Sequence, residues 1–176
     1  MDNASKIDGF LKEISQKLGT KFSLIDRVCV LVDKDKTNRW IIEVPENSDF
    51  VVFFAPMFAI PDYKLREGYE TVLRRNIYAN ENRGTWIALN PNSSELTLVF
   101  SHVVDMLNCQ LFENILTQFV EFSKEVRESV FDEVMKGVSP HDNRRTAVSS
   151  DSGPSGPSGG GGDDDGDGRP DFSRLA

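Results

Sequence analysis

The sequence offers few residues whose types and spacing suit catalysis. His102 lies three residues before Asp105, but no serine or cysteine motif such as G-x-S-x-G accompanies the pair. A serine nucleophile requires a shaped turn and an oriented base, and a single histidine at the end of a predicted strand is more often structural. The phosphate-binding patterns G-x-x-x-x-G-K-S/T and G-x-G-x-x-G are also absent. The sequence therefore predicts neither an enzyme nor a cofactor.

One acidic pattern near the carboxyl end could bind a metal ion. Asp163, Asp165, Asp167 and Asp171 fit D-x-D-x-D-G-x-x-D, in which spaced carboxylates can surround Ca²⁺. An EF-hand loop also requires a glutamate at its twelfth position, where this sequence has Arg174. A single copy after four consecutive glycines is more typical of a solubilising acidic tail than of a calcium site. We therefore predict no metal site.

Composition divides the chain into two parts. The protein has 176 residues and a net charge of −8, and 39% of its residues are hydrophobic, which is low for a fully packed chain. Residues 139–176 contain 8 of the 13 glycines and 4 of the 8 prolines. Such a segment cannot bury enough apolar surface to offset its ordering entropy. We predict a folded domain over residues 1–138 and a disordered acidic tail over residues 139–176.

Charge and cysteine usage exclude several classes of protein. An acidic chain with only two adjacent basic pairs lacks the basic patch that nucleic-acid binding requires. No apolar run is long enough to span a membrane, and the first residues do not form a signal peptide. Cys29 and Cys109 lie far apart, outside any metal-ligand spacing, and are expected to be free thiols in a reducing compartment. These features predict a cytoplasmic protein.

Hydrophobic periodicity predicts the order α-βββ-α-ββ-α. Apolar residues at helical spacing indicate a first helix that stops at Gly19, a second helix that ends near residue 80, and a long third helix with Asp105 as its N-cap. Short alternating segments separated by polar turns indicate strands over residues 25–32, 39–44, 49–55, 85–90 and 95–101. Strands in hairpins, with helices set apart, predict an α+β fold with an antiparallel twisted sheet packed against helices.

The third predicted strand is apolar on both faces. Phe50, Val52 and Phe54 lie on one face, and Val51 and Phe53 lie on the other. An antiparallel sheet with one face in water should instead alternate apolar and polar residues. We therefore expect the second face to be covered by the helices of the same chain, by a second subunit or by a bound polypeptide.

Several of these features together are similar to a known family. The stretch from Val72 to Tyr78 contains the spacing leucine-x-x-asparagine at Leu73 and Asn76, and it is followed by Gly84, a strand hairpin and a long final helix. About residues 5–135 resemble the Tir-chaperone-like (CesT/SycE-like) family, the small acidic chaperones of bacterial type III secretion. The tail departs from the family, whose members usually stop soon after the last helix.

The resemblance implies a cytoplasmic homodimeric chaperone without ATPase activity. Such a dimer binds the amino-terminal segment of a secretion effector in extended form and keeps it soluble and competent for export. Candidate client-binding residues, which could equally be core residues, are Phe10, Ile14, Val28 and Val30. Candidate residues for the twofold interface, by the same resemblance, are Tyr69, Leu73, Ile77 and Trp86. The alternative is a YbjN-like regulatory protein of the same fold that binds a folded partner.

Overall fold

The structure is a computed structural model that describes residues 2–77 and 81–136. In that part of the chain, three helices accompany one five-stranded sheet. Two short 3₁₀ turns, Asp62–Lys64 and Val104–Met106, precede the second and third helices. The helices and strands, in chain order, are α1 (Asn3–Leu18), β1 (Val28–Val32), β2 (Arg39–Glu43), β3 (Phe50–Ala59), α2 (Leu65–Asn76), β4 (Trp86–Leu89), β5 (Glu95–Val103) and α3 (Cys109–Lys136).

The sheet is antiparallel throughout, and its spatial order is β1-β2-β3-β5-β4. The two edges are therefore β1 and β4. The α+β class and the order α-βββ-α-ββ-α predicted from the sequence are confirmed. The predicted acidic tail, with its calcium-like pattern and His141, lies outside the described residues.

Two strands differ in length from their predictions for local backbone reasons. β1 begins at Val28 rather than at residue 25, because Asp26 and Arg27 have positive φ angles of 49° and 66° and form a tight turn. β3 continues to Ala59 rather than ending at residue 55, because a register shift between Pro56 and Phe58 accommodates the proline within the sheet.

The helix ends were predicted with mixed success. Gly19 ends α1 in the left-handed conformation, with φ 65°, which confirms the predicted stop. The prediction that Asp105 caps α3 is wrong, because Asp105 belongs to a 3₁₀ turn. Asn108 caps α3 instead, because its Oδ1 atom accepts a hydrogen bond from the Leu111 backbone N–H at 2.8 Å. α2 ends at Asn76, earlier than predicted.

The core lies between one face of the sheet and the helices. The Phe53 ring of β3 is fully buried, 5.7 Å from the rings of both Phe112 and Phe119 on α3. The Trp40 indole N–H on β2 donates a buried hydrogen bond of 2.8 Å to the Ser123 hydroxyl, also on α3. These contacts place α3 across the middle of the sheet.

The other two helices pack against α3. On α1, the Phe10 ring lies 5.7 Å from that of Phe112. On α2, Gly68 permits close packing, because a Cβ atom there would lie 2.8 Å from the Ile60 Cδ1 atom and 3.3 Å from Val134. The Arg75 side chain of α2 also pairs with Glu133 of α3. All three helices therefore form one layer on one face of the sheet.

Candidate functional site

The face of the sheet opposite the helices carries a continuous row of apolar side chains. Residues directly opposite each other on neighbouring strands point to the same face, and the register joins one such residue from each of the five strands. We call this set the outer row; in spatial order its members are Val30, Ile41, Phe54, Val99 and Trp86. The row crosses the whole sheet.

The outer row is partly open to solvent. Val30 is 56% exposed at one end and Trp86 is 40% exposed at the other, whereas Val99 is almost fully buried. The neighbouring Val32 is 58% exposed on the same face. The helices of residues 2–77 and 81–136 thus leave this face uncovered. The second apolar face of β3 was expected to be covered by these helices, by a second subunit or by a bound polypeptide, and the first of these options is excluded.

Charged side chains border the outer row. Glu43 lies two residues from Ile41 on β2, on the same face of the sheet. On the other side of the row, the Arg39 guanidinium lies 2.7 Å from the Glu95 carboxylate. The row is therefore an apolar strip with polar margins, an arrangement typical of a surface that another chain covers.

The four predicted client-binding residues are divided between two layers. Val28 and Val30 lie on the outer face of β1. Phe10 and Ile14 belong to the helix layer, where Phe10 is half-buried and Ile14 is only 3% exposed. A client could therefore reach Val30 directly, but it could reach Ile14 only if neighbouring side chains moved.

The four predicted interface residues lie on α2, directly after it and on β4. Leu73 and Ile77, one helical turn apart, are 71% and 78% exposed, and Tyr69 is half-buried. Trp86 is on β4, and Leu89 of the same strand is a further exposed apolar residue that sequence reasoning missed. An exposed apolar helix face next to an exposed apolar strand is a surface of the type that protein partners bury.

Asparagine side chains hold α2 against β4. The Asn76 Oδ1 atom accepts a hydrogen bond from the Ile87 backbone N–H at 2.8 Å, and its Nδ2 atom donates to the Ile87 carbonyl at 2.9 Å. The Asn82 side chain, 2% exposed, donates to the Arg75 carbonyl at 2.9 Å. Asn76 belongs to the leucine-x-x-asparagine spacing, whereas no sequence pattern pointed to Asn82.

The surroundings of His102, Cys29 and Cys109 indicate structural rather than chemical roles for these side chains. The His102 Nδ1 atom lies 3.0 Å from the Val103 carbonyl oxygen rather than beside a nucleophile. Burial raises the pKa of the Cys29 thiol, and the pKa of Cys109 is raised first by desolvation and then by a hydrogen bond to Glu13. A raised pKa disfavours the reactive thiolate, so neither cysteine is activated.

No helix in the described part of the chain is long and apolar enough to cross a membrane.

Comparison with known proteins defines the class of protein. The sequence profile of the Tir chaperone protein (CesT) family matches residues 9–127, which is more than half of the chain. The fold and the match together define a chaperone of the type III secretion class. The chain belongs to the Tir chaperone protein (CesT) family. Comparison with curated protein sequences gives no significant match.

Solved structures of several protein complexes have the same fold. The ExsC–ExsE complex matches with a TM-score of 0.62 and 16% identity, covering 73% of this chain and 96% of the other. The HopA1–SchA chaperone–effector complex matches with a TM-score of 0.57 and 14% identity, covering 73% and 98%. The ExoU–SpcU complex of the Pseudomonas aeruginosa type III secretion system gives 0.51 and 11%, covering 69% and 95%. At these identities the similarity concerns the fold.

Proposed function

We propose that this chaperone binds the amino-terminal segment of a type III secretion effector in the bacterial cytoplasm and keeps it extended, soluble and competent for export. The observation that carries the proposal is the outer row, an apolar strip that crosses all five strands and is left uncovered by the described helices. An unfolded effector segment exposes apolar side chains of its own, and covering both surfaces removes them from water together.

The shape of the strip suits an extended client. Side chains from different strands lie side by side, so a chain that runs across the sheet meets an accessible apolar side chain at every strand except β5, where Val99 is buried. Complete burial of one Val, Leu, Ile or Phe side chain contributes roughly 1.5–3 kcal/mol, so a few such contacts can hold a segment that has no fold of its own. The net charge of −8 favours solubility of the complex.

Two further observations support this function over the alternative of a YbjN-like regulator. The family match is to a chaperone family. One of the solved structures described above is a complex of a chaperone with its effector, which supports an effector as the partner of this chain. A folded partner would require a surface of matching shape, whereas an open apolar strip suits a segment without structure.

We also propose that the protein is a homodimer. Leu73 on α2 and Ile77 directly after it expose apolar side chains, and Leu89 exposes another on the helix side of the adjacent strand, whereas Trp86 is exposed on the opposite face of that strand. A twofold interface would bury the same surface on both subunits, as is usual in homodimers. The exposed aromatic and aliphatic side chains supply the apolar centre that such an interface requires.

Co-purification with the products of adjacent genes tests the proposed function. We expect one effector to be retained in a defined stoichiometry, and its binding to be confined to a fragment from its amino-terminal region. The bound fragment should show the chemical-shift dispersion of an unfolded or extended chain. Retention of a folded partner through its folded domain, with no binding of any extended fragment, would contradict the proposal.

A further inference from the structure

The outward edge of β4 is occupied by a side chain of the same protein. Backbone groups of alternate strand residues point to opposite sides, and those of Ile87 point away from β5. Both are satisfied by Asn76, which accepts from the Ile87 N–H at 2.8 Å and donates to its carbonyl at 2.9 Å. The carboxamide thus makes the pair of hydrogen bonds that the N–H and C=O of one residue in a neighbouring antiparallel strand would make.

The next outward-facing position on this edge is also occupied. The Thr85 backbone N–H, two residues before Ile87, donates to the Asn82 carbonyl at 2.8 Å, and the Thr85 hydroxyl donates to the same oxygen at 2.6 Å. Leu89, at the end of β4, is the next residue whose backbone N–H and C=O point away from β5. Both backbone groups of Ile87 and the N–H of Thr85 are therefore unavailable to a strand of another chain.

The opposite edge, β1, is different. Val28 exchanges both backbone hydrogen bonds with Ile25 across the tight turn, at 2.8 and 3.0 Å. By alternation, the backbone groups of Val30 and Val32 point to the same side, and no backbone partner for them occurs there within residues 2–77 and 81–136. Two consecutive positions of β1, with four hydrogen-bonding groups, are thus open.

We infer that Asn76 is an edge-closing residue: it occupies the place of a neighbouring strand on β4, so that strands of other chains cannot pair there. β4 and α2 then meet a second subunit through side chains such as Leu73 and Trp86 and not through backbone pairing. Natural sheets commonly cover an edge in this way to avoid unwanted pairing.

The test uses the free protein and compares Asn76→Ala with Asn114→Ala, an exposed asparagine on α3. Loss of two hydrogen bonds should make the Ile87 amide exchange with deuterium about tenfold faster. The freed edge should also give a mass by light scattering that rises with concentration above that of the wild-type assembly. Asn114→Ala should match the wild type in both measurements.

Asn76→Asp supplies a second readout and covers the case in which Asn76→Ala fails to fold. An ionised carboxylate still accepts from the Ile87 N–H, but it cannot donate to the Ile87 carbonyl and repels it, whereas a protonated carboxyl both donates and accepts, as the amide does. The mass of Asn76→Asp should therefore exceed that of the wild type at neutral pH and return to it as the pH falls through the carboxyl pKa. An Ile87 protection factor that is equal in wild type and Asn76→Ala, or a mass of Asn76→Asp at neutral pH equal to that of the wild type, would overturn the inference. Neither measurement involves an effector, so failure of the proposed function would leave this result standing.

Discussion

Val30 and Ile14 look alike in the sequence but occupy opposite environments. Both are aliphatic residues that we proposed as client contacts, and Val30 is 56% exposed on the outer face whereas Ile14 is 3% exposed in the helix layer. The difference depends on which elements pack together, because α1 turns Ile14 towards the rest of the core. Residue type predicted that both side chains would be buried, but it did not show whether the core of the same chain or a bound client would bury each of them.

At Ile14, substitution should therefore affect the fold itself. Ile14→Asp places a carboxylate in the core without a partner, which costs several kcal/mol and is a large part of the stability of an ordinary domain. We expect loss of helical circular dichroism or a large fall in melting temperature, whereas Gln16→Asp, at an exposed position on the same helix, should melt like the wild type. A folded Ile14→Asp with normal stability would contradict this assignment.

The elements show which features the sequence could predict. Their number, type and order were correct, since helical and strand periodicities are local properties. The two-sided apolar pattern of β3 also indicated a second apolar face that needs a cover, without deciding between the helices, a second subunit and a bound polypeptide, and the register then placed Phe54 in the outer row. The start of β1 and the cap of α3 were wrong, because the positive φ angles at Asp26 and Arg27 and the cap at Asn108 arise from local backbone geometry.

The two sheet edges predict where an extended client pairs. Upon binding of an effector fragment, the amides of Val30 and Val32 should exchange more slowly with deuterium, because they gain hydrogen-bond acceptors from an added strand. The Ile87 amide, already bonded to Asn76, should not change and serves as the internal control. A bound fragment that leaves both valine amides unchanged would show that the client contacts β1 through side chains alone.

At the scale of the molecule, residues 2–77 and 81–136 present two apolar surfaces with different expected partners. The outer row is assigned to the client, and the exposed side chains of α2 and β4 are assigned to a second subunit. The sequence could not separate these two surfaces, because both consist of ordinary apolar residues within regular elements. Trp86 is a candidate for both, as the last member of the outer row and as a residue of β4, the strand that Asn76 joins to α2.

Light scattering tests the predicted dimer. The wild type should have twice the 19.7 kDa mass of one chain at micromolar concentration. Leu73→Glu places a charge at the centre of the exposed α2 surface and should give the mass of one chain, since an unpaired charge is costly to bury in an interface. Tyr63→Glu, at an equally exposed position outside α2, should stay dimeric. A wild-type mass near 20 kDa would contradict the prediction.

Removal of residues 139–176 tests the predicted domain organisation. Their composition predicts that they add no buried apolar surface, so deletion should change neither the melting temperature nor the affinity for the effector. Added Ca²⁺ should likewise leave the melting temperature of the intact protein unchanged. A clear loss of stability or binding upon deletion would show that the tail packs against the domain.

Titration of the identified effector fragment into Val30→Asp tests the central claim, that the outer row binds the client. Val30 is exposed enough for the variant to keep its fold, its mass and its melting temperature. Binding buries the introduced carboxylate without a partner, which costs several kcal/mol, so the affinity should fall by far more than about tenfold. Met106→Asp, at an exposed apolar position outside the row, should bind like the wild type. A folded Val30→Asp that binds the fragment with wild-type affinity would contradict the claim.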